Sequence, residues 1–200
     1  MQCKFIVSML ALAMSASAGA QSAASAPNVP ENLKPGANES VAMVVAAKGV
    51  QIYECRQAKG QTGTYEWAFV APEAELFDAS GKKVGRHGAG PNWEAADGSK
   101  IIGTVKEKAD SSQTDAIPWL LLTAKSVGAQ GVFSKITSVQ RLNTVGGTAP
   151  REGCSQTAAG TMVRVPYTAD YYFLAAKDEA PSQVNAVAKP VVQPRSSYSY

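Results

Sequence analysis

Apolar and polar residues alternate along Gly49-Val50-Gln51-Ile52-Tyr53-Glu54-Cys55-Arg56. A period of two is the mark of a strand with one buried face, and Val50, Ile52 and Tyr53 are strand-prone residues. After the turn cluster Lys59-Gly60-Gln61-Thr62-Gly63 a second run follows, Tyr65-Glu66-Trp67-Ala68-Phe69-Val70. Two such runs around a glycine-bearing loop predict a hairpin. Leu76-Phe77-Asp78 and Lys83-Val84-Gly85 flank another turn, Ala79-Ser80-Gly81-Lys82. A third pair, Asn92-Trp93-Glu94 and Lys100 to Val105, brackets Ala96-Asp97-Gly98-Ser99, and Asp-Gly is a strong hairpin signal. Three hairpins in succession predict an antiparallel, all-β domain.

The middle of the chain is patterned differently. Ile117-Pro118-Trp119-Leu120-Leu121-Leu122-Thr123-Ala124 is apolar on both faces, which fits a buried strand or a short helix. Pro118 near its start permits either, and a strand is the preferred reading. Alternation returns from Val132 to Leu142, and Thr161-Met162-Val163-Arg164-Val165 reads as a strand that Pro166 should stop. Tyr171-Tyr172-Phe173-Leu174 is expected to be the last. Eight to ten short strands in one domain predict a single-domain antiparallel β-sandwich or a partly closed β-barrel.

The ends of the chain set its context. Met1 to Lys4 is a short basic start, Phe5 to Ala13 is mostly apolar, and Ala18-Gly19-Ala20 has the small-x-small form of a signal-peptidase site. Residues 1–20 are therefore expected to be a signal peptide, with cleavage after Ala18 as the alternative. The apolar run is too short to span a bilayer, which needs about 20 apolar residues. Residues 21–40 read as an extended arm, residues 41–175 as the β domain, and residues 176–200 as a disordered polar tail with little clustered apolar surface. The expected location is the periplasm or the extracellular space.

Charge and cysteines refine this. Nineteen Lys and Arg face 16 Asp and Glu, a net charge of +3; without Lys4 the balance is 18 against 16, or +2. The basic residues do not cluster, so neither nucleic acid nor a membrane surface is an expected partner. Cys3 leaves with the leader, so the mature chain holds Cys55 and Cys154. Two cysteines in an oxidising compartment usually pair, two free buried thiols being the alternative. Two Cys and the single histidine cannot supply four ligands to a structural zinc, and no cofactor is expected.

Several segments together resemble one family. They are Gly49 to Cys55, Gly85-Arg86-His87 with Gly90-Pro91-Asn92-Trp93-Glu94 and Asp97-Gly98-Ser99, Ile117 to Leu122, and Gln140-Arg141-Leu142-Asn143-Thr144 leading through Gly146-Gly147 to Cys154. Val165-Pro166-Tyr167-Thr168-Ala169-Asp170-Tyr171-Tyr172-Phe173 completes the pattern. Across about Val29 to Leu174 the chain resembles the secreted family known as domain of unknown function 3455. The resemblance implies an exported single-domain protein and carries over no catalytic residue.

Candidate chemistry centres on His87, the only histidine. It precedes the flexible stretch Gly88-Ala89-Gly90-Pro91, and Glu94 or Asp97 nearby in sequence would orient it as a base serving Ser99 or a water. A loop histidine bonded to a backbone carbonyl is the plainer alternative. Glu73 and Glu75 share a strand face, a weak glycosidase signal, and Asp170 is placed to pair with Arg141 or Arg164. Among the aromatics, Trp67 and Trp119 are expected in the core, while Trp93, beside Gly90-Pro91, is expected to be exposed and is the candidate ligand-binding residue. With no metal set, cofactor loop or triad, the leading reading is a non-catalytic module binding a small ligand or a cell-envelope component. A hydrolase or lyase on His87 with Glu94 or Asp97, and a structural surface protein, are the alternatives.

Overall fold

The computed structural model describes residues 27–177; the expected signal peptide and all but the start of the expected tail lie outside the described residues. Eight strands follow in chain order: β1 (Glu39–Gln57), β2 (Tyr65–Phe77), β3 (Lys83–Gly88), β4 (Asn92–Ala95), β5 (Lys100–Ala109), β6 (Trp119–Ser126), β7 (Ile136–Gly146) and β8 (Met162–Ala176). Each pairs antiparallel with the next, and β8 returns to pair with β1, closing a barrel. Among the described residues the only helical pieces are two 3₁₀ turns, Glu31–Leu33 and Gln156–Ala158. Of the two all-β architectures expected, the barrel is the one formed. Closure gives β1 a partner on both flanks, β2 and β8, so this long strand presents no free edge over its paired length.

The period of two sorts the residues. Val45, Ala47, Leu76, Trp93, Ile101, Val139 and Phe173 point into one buried core, while Arg86–Glu94, Lys83–Glu75 and Arg164–Glu73 form ion pairs on the outside. Ile117 and Leu122 join the core, so the doubly apolar segment is a strand whose other face is covered as well. That cover is the N-terminal arm: Val29 and Leu33 are buried on Leu121, Leu142 and Leu174, on the outer side of β6 to β8. Gln140 Nε2 donates to the Leu33 carbonyl at 2.6 Å, which holds the arm in place.

Two sequence expectations are corrected. Pro166 does not stop a strand; β8 runs through it, paired with Val50 of β1. The β7 ladder ends one residue away, at Gly146–Tyr167, so β8 has a free flank there, where a strand tolerates proline. The alternation from Val132 begins too early, since β7 starts at Ile136. Before it the chain turns, with Ser134 N–H on the Gly131 carbonyl, and Phe133 enters the core from this turn. The expected disulfide is present: Cys55 in β1 is bonded to Cys154 in the loop before β8, 99 residues away.

The barrel wall is uneven. The β2–β3 ladder begins only at Ala74–His87, and β4 meets β5 only over Asn92–Ile102 to Glu94–Lys100. The first half of β2 and the second half of β5 therefore run past the short β3–β4 hairpin. Both also carry a bulge there: Val70 is the extra residue in β2 and Lys106 in β5. Bulges sharpen local twist and bend the strand. The result is a notch in the wall, floored by the hairpin tip.

Candidate functional site

The notch leads to a cavity of about 160 Å³. Phe69, Val70 and Pro72 of β2 and Val105 of β5 form its sides, and Leu120 and Leu122 of β6 the apolar back. Its polar groups are His87, Arg141 of β7 and Tyr171 of β8. Phe69 and Val105 are about half exposed, as expected of side chains at a mouth.

The β3–β4 register explains how the hairpin furnishes the floor. His87 stands opposite Trp93 and Arg86 opposite Glu94. Alternation sends the first pair into the barrel and the second out of it. Gly90, at φ +87, makes the turn between them. Inside, the His87 and Trp93 rings stack at 4.6 Å and 13°, and Tyr171 meets both edge-on at 5.2 and 5.5 Å. Gly103 provides the slot for the indole, because a Cβ there would stand 2.8 Å from Trp93 Cζ3. Trp93 is thus 1% exposed, reversing the sequence expectation, whereas Trp67 and Trp119, expected in the core, are only half-buried. It still lines the cavity, from within.

His87 Nδ1 donates to the Asn92 carbonyl at 2.7 Å. Nδ1 therefore carries the proton, and Nε2 is left with its lone pair. Burial pushes the imidazole pKa down to about 4; the Asn92 bond opposes this and the Arg141 charge adds to it. At neutral pH His87 is an uncharged acceptor in an aromatic cluster.

The two carboxylates proposed to serve it lie elsewhere. Glu94 sits on the outer face, bonded to Arg86 at 2.8 Å, with Lys100 at 3.7 Å; the Arg86 bond is the main reason its carboxyl is held below the usual range. Asp97 follows the far end of β4. Its Oδ1 accepts from Ser99 N–H and from the Ser99 hydroxyl, at 2.9 and 2.6 Å, and its Oδ2 from Val132 N–H at 2.8 Å. Those bonds, led by the Ser99 hydroxyl, lower the Asp97 pKa and tie the turn to the loop before β7. Ser99 is fully buried and also accepts from Phe133 N–H. Asp97 and Ser99 form a structural staple at the other end of the hairpin from His87.

The other charged candidates are on the surface as well. Glu73 pairs with Arg164 and Glu75 with Lys83. Asp170 accepts from Asn143 Nδ2 at 2.9 Å instead of meeting either arginine.

What sequence reasoning missed is a polar end of the barrel interior. Gln51, Tyr167 and Tyr171 are buried there; the two tyrosine hydroxyls lie close to each other and to Arg141, while Gln51 Nε2 and Trp93 Nε1 have no hydrogen-bond partner among the described residues. Tyr53 is satisfied, donating to the Gly147 carbonyl at 2.6 Å. Burial raises the pKa of Tyr171, with Arg141 opposing, and raises that of Tyr167, with Tyr171 reinforcing it. Both stay neutral donors. A buried polar group without a partner costs about 1–3 kcal/mol. Arg141 carried one available signal: it shares the Val139 face of a strand, the face that turns inward.

Residues 35–175 match the family described as "Protein of unknown function (DUF3455)". No curated protein and no solved structure matches the chain. No helix among the described residues is long and apolar enough to cross a membrane.

Proposed function

Since this chain belongs to the DUF3455 family, whose description carries no activity, we propose from its own chemistry that it is an exported, non-catalytic barrel that holds a small ligand in the notch between β2 and β5. One observation carries the reading. The cavity is apolar in most of its lining yet includes the guanidinium-bearing Arg141, beside Tyr171 and the uncharged His87. Binding sites are commonly concave, mostly apolar and furnished with a few convergent polar groups. Export rests on the leader-like residues 1–20, and the Cys55–Cys154 disulfide supports it, because such bonds persist in oxidising compartments.

A hydrolase or lyase on His87 has less to support it. Its ring is oriented by a backbone carbonyl, and neither Glu94 nor Asp97 bonds to it. General acid–base work favours a pKa near the working pH, and that of His87 lies well below it.

The test is an NMR titration of residues 21–200 with a small-molecule extract of the cell envelope, following the Trp93 indole N–H and the His87 ring. The expected result is a shift of both signals in the native protein and none in Val105→Trp, which fills the mouth. Unmoved signals, or equal shifts in both proteins, would overturn the reading.

A further inference from the structure

Arg141 is the group in this cavity that the fold itself does not use up. It faces Tyr171 across β7–β8 and Leu120 across β6–β7, and all three line the cavity. Nε and Nη2 both donate to the Pro118 carbonyl, at 3.2 and 2.8 Å. A guanidinium has five N–H donors in a rigid plane, so this anchorage fixes the fork and leaves Nη1 and the second Nη2 hydrogen uncommitted by it. No carboxylate among the described residues forms an ion pair with Arg141. A half-buried cation against apolar walls, without a counter-charge, is a costly arrangement. It becomes favourable when an anion brings the missing charge.

The remaining groups narrow that anion. Tyr171, fully buried and neutral on the neighbouring strand, backs the guanidinium and adds no charge. His87 adds no second positive charge, because its imidazole is neutral. One cation suits a singly charged, planar carboxylate better than a doubly charged phosphate, which would require further donors. The body of the ligand is set by the walls. A volume of about 160 Å³ is close to that of an apolar cavity able to hold a benzene ring, about 150 Å³. Phe69, Leu122 and the stacked His87–Trp93 pair supply flat or aliphatic surfaces for such a ring.

We propose that the notch binds a small aromatic monocarboxylate, with its carboxylate held by Arg141 and its ring against Phe69 and Leu122. The proposal rests on the small-ligand reading above and sharpens it. The experiment is calorimetric and NMR titration of residues 21–200 at pH 7 with benzoate and phenylacetate, and with their neutral amides, benzamide and phenylacetamide. Hydrogen bonds to charged groups predict that the acids bind about ten- to a hundredfold more tightly than the amides. Arg141→Gln removes that preference, and Arg141→Lys, which keeps the charge, retains part of it. If Arg141→Gln does not fold, the acid–amide comparison in the native protein carries the test.

Equal affinity for acids and amides, or a preference that survives Arg141→Gln, would overturn the carboxylate assignment. Failure of all four probes to move the Trp93 and His87 signals would overturn it too. In either case a mouth-dependent response to envelope extract leaves the small-ligand reading standing, so the two failures are distinguishable.

Discussion

His87 illustrates how a single side chain is governed by its surroundings. An exposed histidine titrates near 6.5, whereas burial pushes this one down to about 4. In the unfolded chain it takes up its proton first. Burial of neutral His87 therefore costs nothing above about pH 6.5, and stability is lost as pH falls from there toward 4, at up to about 1.4 kcal/mol per pH unit. Below pH 4 this contribution levels off. His87→Phe, which keeps an aromatic ring against Trp93, is expected to flatten the slope between pH 6.5 and 4, as measured by urea unfolding at successive pH values. A slope identical to that of the native protein would mean that His87 is not buried as described. The sequence marked His87 as the residue to watch but not which way it faces. The alternation of β3 and β4 separates it from Glu94, since neighbours across the hairpin at Arg86–Glu94 and His87–Trp93 point to opposite sides of the wall.

At the level of elements, strands were legible wherever one face is wet and the other dry. β1, β2 and the hairpin around Asp97-Gly98 announce themselves by period two and by turn chemistry. β6 did not, because both its faces are covered, one by the core and the other by the arm. The arm itself reads as polar and Pro-rich, with too few apolar residues to signal a docked segment. Leu33, fully buried on Leu121, Leu142 and Leu174, is its anchor. Leu33→Ala is expected to cost about 2–5 kcal/mol, the range for truncating a buried leucine, and to speed amide hydrogen exchange along residues 29–34. An unchanged unfolding midpoint would show that the arm contributes no stability. The bulges at Val70 and Lys106 were illegible for a related reason: a bulge is one unmatched residue, visible only when its partner strand is known.

On the scale of the whole molecule, the disulfide ties the first strand to the loop before the last. β1 and β8 are already neighbours in the barrel, so the bond reinforces the seam where the two ends of the domain meet. Removing it through Cys55→Ser with Cys154→Ser should lower stability by about 2–5 kcal/mol, the usual range for a native disulfide, with the barrel still folding at lower temperature. Urea unfolding of the oxidised protein against the double variant measures this. A difference below about 1 kcal/mol would mean that the β1–β8 ladder alone holds the seam and that the bond adds little to it.

The amino-acid sequence by itself determined the all-β class, the antiparallel order, most hairpins and the cysteine pair. These follow from local rules: side-chain alternation, turn residues at fixed spacing, and a count of two thiols. Only the tertiary structure decided that the sheet closes and that its wall is notched. Closure depends on β8 meeting β1 more than 100 residues away, and the notch on how far β2 and β5 overrun a short hairpin. It also decided the roles of individual residues. Trp93 enters the core because Gly103 leaves room for it, and Arg141 faces an apolar cavity because of the phase of β7. Both depend on register between strands, and register is a property of pairs of segments that neither segment carries alone.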